Sequence, residues 1–139
     1  MYYRPPKKPK LAVIFTRDDP LCPDPQGAKA REASCLQYCR QAGIPVSHTV
    51  RVCCDAVQSL ALLRQLLGTL PGELDTLIAA RLIDYSTQLL PLGRLCLMFQ
   101  CRRIWVYALD SPGPLYKSIP GLKQEDFTLA EQRFAEAVK

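Results

Sequence analysis

Four strand-sized runs, separated by longer segments with helical spacing, limit what this chain can fold into more than any other feature. Leu11-Ala12-Val13-Ile14-Phe15 is a continuous apolar run of the kind that forms a strand buried on both faces. After a loop holding Pro20, Pro23 and Pro25, residues Gln26 to Ala42 have helical texture and stop at Gly43, a residue that accepts the left-handed conformation at helix ends. Residues 44–52 alternate apolar and polar and are rich in β-branched types, which predicts a second strand. Ala56 to Leu70 sets Leu60, Leu63, Leu66, Leu67 and Leu70 at three- and four-residue steps before Pro71-Gly72, the pattern of an amphipathic helix. Asp75 to Ala80 reads as a third strand, and Thr87 to Phe99 as a helix capped by Ser86, with Pro91 tolerated in its first turn. Ile104 to Leu109 reads as a fourth strand. The stretch Asp126 to Lys139, with Phe127, Ala130, Phe134 and Val138 at helical spacing, closes the chain as a short helix.

Strands alternating with helices of this length pair in parallel through right-handed crossovers. The expected architecture is therefore α/β, three layers (α-β-α) around a mostly parallel sheet of four to five strands. Residues 1–10 form a basic, Pro-rich arm and 11–139 a single domain. Ligands of such sheets bind outside the carboxyl ends of the strands, here Thr16 to Asp19, Arg81 to Tyr85 and Asp110 to Ser111.

Composition sharpens this. The 139 residues are 48% hydrophobic and 22% charged, enough to bury a core, so disordered and fibrous classes are excluded. Charges such as Arg64, Asp84 and Arg94 interrupt every apolar stretch, so no membrane span is expected, and the amino-terminal residues lack an apolar run of signal-peptide type. The cytoplasm is the expected compartment, and an odd count of seven cysteines fits a reducing one. Those cysteines contain no C-x-x-C, and His48 is the one histidine, so neither a zinc site nor any other metal or cofactor is expected. Cys35 and Cys39 fall on one helix face and are read as core packing, Cys53 and Cys54 as strand-end packing. The seven glycines form no phosphate-binding loop. Arg102-Arg103 is read as a solvated turn, with Trp105 and Tyr107 in a core strand.

The net charge of +5 is unevenly placed: Arg4, Lys7, Lys8 and Lys10 carry +4, while the rest holds 14 Lys plus Arg against 13 Asp plus Glu. Four charges on an arm give weak, salt-sensitive, non-specific contact with DNA phosphates, if they are not simply solvated.

Several local strings, in this order, are similar to those of one family. Phe15-Thr16-Arg17 follows the first strand. Cys35 and Tyr38 precede Gly43 in the first helix, Asp55 follows the second strand, and Leu74-Asp75-Thr76-Leu77-Ile78 leads into the third. Together, from about Leu11 to Asp110, they resemble the catalytic (resolvase/invertase) domain of serine site-specific recombinases. The resemblance implies a nucleophilic serine two residues after an arginine, in a Tyr-x-Arg-x-Ser pattern ending strand one. This chain reads Phe15-Thr16-Arg17-Asp18-Asp19, so Arg17 keeps its place as a phosphate contact and Asp19 occupies the nucleophile position. A second family string after strand three, Asp-Arg-Leu-Ser-Arg, is matched to Ile83-Asp84-Tyr85-Ser86-Thr87, which removes both arginines, and Ser59 falls near the place of a further one.

Phosphoryl transfer needs a nucleophile set among cationic donors, and removing one such donor costs on the order of 10²- to 10³-fold in rate. With Asp18, Asp19 and Asp84 expected to add like charge, no strand cleavage and no catalytic residue are expected. The reading is a degenerate recombinase domain acting as a non-catalytic interaction or regulatory module in a recombination or mobile-element setting. Its partners would be DNA held weakly, a full-length recombinase or a second copy. Two alternatives stay open: a strand-transfer protein with a relocated nucleophile such as Thr16 or Ser86, and an unrelated flavodoxin-like interaction domain. Asp18-Asp19 also resembles the magnesium-holding acidic pair of phosphorelay receivers. That scheme needs an acceptor aspartate where Ala80 and Arg81 stand, so a solvated or capping role is expected for the pair.

Overall fold

The computed structural model describes residues 8–137. Its elements run β1 (Ala12–Asp18), α1 (Pro25–Ala42), β2 (Val46–Cys53), α2 (Ala56–Thr69), β3 (Thr76–Ala79), α3 (Leu82–Tyr85), α4 (Leu89–Cys101), β4 (Trp105–Ala108), a 3-10 turn at Leu115–Ser118, and α5 (Gln124–Ala137). The four strands form one sheet in the order β2-β1-β3-β4, every pair parallel. The α/β layered architecture expected from the sequence is the one observed. Among the described residues no helix is long and apolar enough to cross a membrane.

Strand order dictates the layers. From β1 the chain moves to one side to make β2, then crosses back past β1 to make β3 and continues in the same direction to β4. Right-handed crossovers in opposite directions put their helices on opposite faces. Hence α1 lies alone on one face, and α2 and α4 share the other. Side chains follow the two-residue alternation of a strand. Ala12, Ile14 and Ile78 pack with Cys35 and Cys39 of α1. Val13, Phe15, Leu77, Val106 and Ala108 join Leu63 of α2 and Leu92, Leu95 and Phe99 of α4 in the larger core. Strands this short need apolar residues at nearly every position because both faces are covered, which is why β1 and β3 read as unbroken apolar runs.

A helix about 10–12 Å in diameter cannot cover four strands set about 4.8 Å apart. On the α1 face the sheet is therefore open on both sides of the helix. One groove of about 460 Å³ lies over β3 and β4, bordered by Tyr38, Ile78, Tyr107 and Leu109. A second, of about 470 Å³, lies over β2. Above β2 the helix is fastened by an ion pair: Arg51 Nη2 stands 2.6 Å from Glu32 Oε1, and Arg51 Nε donates to Glu32 Oε2 at 3.1 Å.

Several boundaries differ from those expected. Ser86 does not cap α4. Its oxygen accepts from the Gln88 N–H at 3.1 Å, one turn ahead of the helix, which begins at Leu89 and places Pro91 in its first turn. Residues Leu82–Tyr85, expected as a strand-end loop, form the single turn α3. Arg102 is not merely solvated: its guanidinium donates to the Leu67 and Leu70 carbonyls at the end of α2. Val138 and Lys139, placed by the sequence in the last helix, lie outside the described residues.

Gly93 brings α4 against the segment that follows the 3-10 turn. A Cβ there would stand 3.0 Å from Leu122 Cδ1 and 3.1 Å from Ile119 Cγ2. Gly93→Leu is expected to lower stability by about 1–3 kcal/mol through overpacking, read as a shift of the urea midpoint. Hydrogen bonding from Arg51, above all, holds the Glu32 carboxyl below its ordinary value of 4.5. Its contribution to stability is then full above that pH and is lost as the pH falls through the lower, folded-state value. Melting temperatures taken between pH 6 and 3 should show a smaller drop for Glu32→Gln than for the parent chain.

Candidate nucleic-acid interface

In a sheet of this order the crevice falls where the chain reverses direction, at the carboxyl ends of β1 and β3. Arg17, near the end of β1, continues the parity of Val13 and Phe15 and points into that crevice. Its side chain is buried, and three main-chain carbonyls accept from it: Asp84 from Nε at 3.2 Å, Cys54 from Nη1 at 3.1 Å and Ile83 from Nη2 at 2.6 Å. Two of these belong to α3, and the Ser59 hydroxyl donates to the next carbonyl, that of Tyr85. The last carbonyls of a helix have no partner within it, so Arg17 and Ser59 together satisfy the end of a turn too short to be stable alone. Bonds from a charged donor are each worth about 1.5–3 kcal/mol net.

Asp84 is the second hub. Expected to add like charge where a phosphate would sit, its side chain is 1% exposed and paired with arginines. Arg81 Nη2 and Nε donate to Oδ1 at 2.7 and 3.1 Å, the Arg81 N–H donates to Oδ2 at 3.2 Å, and Arg31 Nε of α1 stands 3.3 Å from Oδ1. Arg31 also donates from Nη2 to the Arg17 carbonyl at 3.0 Å. A buried carboxylate survives only with such pairing. The crevice thus holds three arginines, two of them on the Asp84 carboxylate and Arg17 on main-chain carbonyls. Arg31 and Arg81 carried no sequence signal as partners, since 53 and three positions separate them from Asp84 and only the fold brings all three together.

β3 ends at Ala79, and the residues that directly follow it are Ala80-Arg81-Leu82-Ile83-Asp84, so Arg81 stands at the carboxyl end of that strand.

The remaining candidates are dispersed. Asp18 and Asp19 shape the loop into α1: Asp18 Oδ1 accepts from the Asp24 N–H at 2.8 Å and Asp19 Oδ1 from the Leu21 N–H at 2.9 Å, while Asp24 itself caps α1 at Gly27. No group of three or more ligating side chains suited to a metal occurs among the described residues. The Ser86 side chain is fully buried and its hydroxyl donates to the Ala56 carbonyl at 2.9 Å. Thr16 is 5% exposed and faces the α1 side, away from Arg17. The Cys54 thiol is pushed above its ordinary value of 9.0 by burial, against the pull of Arg17, and Cys35 is pushed up to about 12, again by burial. Tyr85 stacks on Phe15 with ring centroids 5.5 Å apart and donates its hydroxyl to the Tyr107 carbonyl at 2.8 Å.

Of the arm, Arg4 and Lys7 lie outside the described residues. Lys8 and Lys10 stand at the opposite end of the sheet from Arg17. The Lys10 N–H donates to the Asp75 carboxylate at 2.9 Å, tying the start of β1 to the start of β3, and Lys8 Nζ lies near Gly43 at the end of α1. One strand length, about 20 Å for seven residues, separates these two lysines from the crevice.

No family model and no curated protein matches the chain. Solved structures do. The N-terminal catalytic domain of TP901-1 integrase superposes with a TM-score of 0.58 at 14% identity, over 94% of this chain and 99% of that one. The C-terminal catalytic domain of ISC1926 TnpA, an IS607-like serine recombinase, superposes with a TM-score of 0.54 at 12% identity, over 93% and 99%. The chain has the fold of serine recombinase catalytic domains.

Asp84→Ala leaves Arg31 and Arg81 without their carboxylate in a largely buried site. A loss of about 3–5 kcal/mol is expected, measured by urea unfolding. A change below 1 kcal/mol would show that the pair is solvated.

Proposed function

We propose that this domain does not cut DNA and acts as an interaction or regulatory module in a recombination or mobile-element setting, within the cytoplasm. One observation carries the reading: the position two residues after Arg17 holds Asp19, an acceptor for the Leu21 N–H, and the serines nearest the crevice, Ser59 and Ser86, donate to main-chain carbonyls. A carboxylate attacking a phosphodiester would be a far better leaving group than the alkoxide it must expel, so the adduct would revert. Arg17 supports the same conclusion, because three of its five N–H donors already bond main-chain carbonyls, which leaves it two for a developing phosphorane charge. Arg81, its side chain 42% exposed, is the crevice cation best placed to meet an anion. Partners of this module would be a full-length recombinase, a second copy, or DNA bound weakly and without sequence preference through the arm and Arg81.

The reading is tested with supercoiled plasmid. The parent chain and Asp19→Ser are both expected to yield no nicked circles and no covalent protein–DNA adduct on denaturing gels, since restoring the hydroxyl alone leaves Arg17 engaged elsewhere. An adduct with the parent chain overturns the proposal. In gel shifts, binding is expected to fall steeply with salt, with a log–log slope of about −0.9 per phosphate contact, and to weaken when Arg4, Lys7, Lys8 and Lys10 are replaced by Gln.

A further inference from the structure

The groove over β3 and β4 meets the chain's own beginning. Tyr38 of α1 and Tyr107 of β4 border it, Thr76 and Ile78 lie beneath, and Lys8 and Pro9 line it as well. Trp105 stands on the same face of the sheet, because it is paired with Thr76 across the ladder and precedes Tyr107 by two residues. It is 6% exposed yet belongs to neither core cluster, and among the described residues its indole Nε1 has no hydrogen-bond partner. The N–H of a buried tryptophan usually finds an acceptor, and one left unpaired destabilises the fold. What completes this flank therefore has to bring apolar cover and a bare carbonyl together.

The segment leading into Lys8 carries both. Residues 1–7 lie outside the described residues, and in sequence they include Tyr2, Tyr3, Pro5 and Pro6. Prolines favour the extended polyproline II helix, whose carbonyls have no internal partner. Aromatic-lined grooves take such segments at little conformational cost, since the proline ring fixes the backbone in advance. The reach suffices. Residues 2–7 at about 3.1 Å each span about 19 Å, whereas β4 lies two strand spacings, about 10 Å, from β1, the strand that the segment precedes.

We infer that residues Tyr2 to Lys7 dock across this flank of their own domain, with Pro5 and Pro6 against Trp105 and Tyr107 and a main-chain carbonyl of the segment accepting from the Trp105 indole N–H. The basic arm is then a strap on the sheet, and any partner that takes hold of the arm competes with the groove for it. The inference does not rest on the arm's meeting DNA.

Trp105 is the one tryptophan of the chain, so its fluorescence reads the contact directly. The full chain is compared with a variant carrying Tyr2→Ser, Tyr3→Ser, Pro5→Gly and Pro6→Gly, all before the first described residue. In the parent chain, Trp105 is expected to emit at the short wavelengths of a buried indole, to resist acrylamide quenching and to exchange its N–H proton slowly with heavy water. In the variant the emission is expected to move to longer wavelength, the quenching constant to rise several-fold and the exchange to quicken, while the far-UV circular dichroism stays that of the parent. Emission, quenching and exchange equal to those of the parent would overturn the proposal. The parent's readings are expected to stay constant on dilution; protection that is lost on dilution would put the arm of a second copy in the groove and overturn docking on its own domain. Without any variant, nuclear Overhauser contacts from the Trp105 ring to the Pro5 and Pro6 rings are expected in the parent chain, and their absence counts against the strap.

Discussion

Arg17 donates to the carbonyls of Cys54, Ile83 and Asp84, and at that one guanidinium the end of β1, the turn into α2 and the short helix α3 meet. The geometry of the strand-end crevice depends on this contact. A four-residue helix has no stability of its own, because nearly all its main-chain groups lack intrahelical partners. Arg17 and Ser59 satisfy three successive carbonyls at its end, and the Asp110 carboxylate accepts from the Leu82 N–H at its start. Asp84 is thereby turned inward, between Arg31 and Arg81, and α1 is tied to the crevice from the opposite layer.

This arrangement sets how the cations of the crevice are used. A phosphoryl-transfer site presents cations outward, with donors unoccupied until the substrate arrives. Here the cations are largely turned to the protein itself. Arg17 caps a helix, Arg31 bonds a carbonyl and faces a carboxylate, and Arg81 is shared between Asp84 and solvent. These contacts join β1, α1 and α3 at the strand ends.

The other face follows a separate constraint. With β1 central and β2 on its outer side, α1 stands alone over four strands, and both flanks of the sheet stay accessible. Polar residues on that face are handled in two ways. Glu32 and Arg51 neutralise each other and pin the helix to the edge strand, while Asp18 turns its carboxylate to the Asp24 N–H in the loop before α1. The two faces therefore differ in chemistry as well as in the number of helices.

Much of this was legible in the sequence. The apolar run Leu11 to Phe15 and the three- and four-residue spacing in Ala56 to Leu70 reflect burial on two faces and on one helix stripe, both local periodicities, and they determined the element order and the parallel α/β class. The placement of Asp19 two residues after Arg17 was equally local. What escaped were partnerships across the fold. The family resemblance cast Arg17 as a phosphate contact and Asp84 as like charge beside that phosphate, because neither residue's partners can be read from its neighbours in sequence. The tertiary structure decided otherwise, since strand order brings residues 17, 31, 81 and 84 into one desolvated place where each charge must find a partner, and periodicity carries no information about which distant residues will meet.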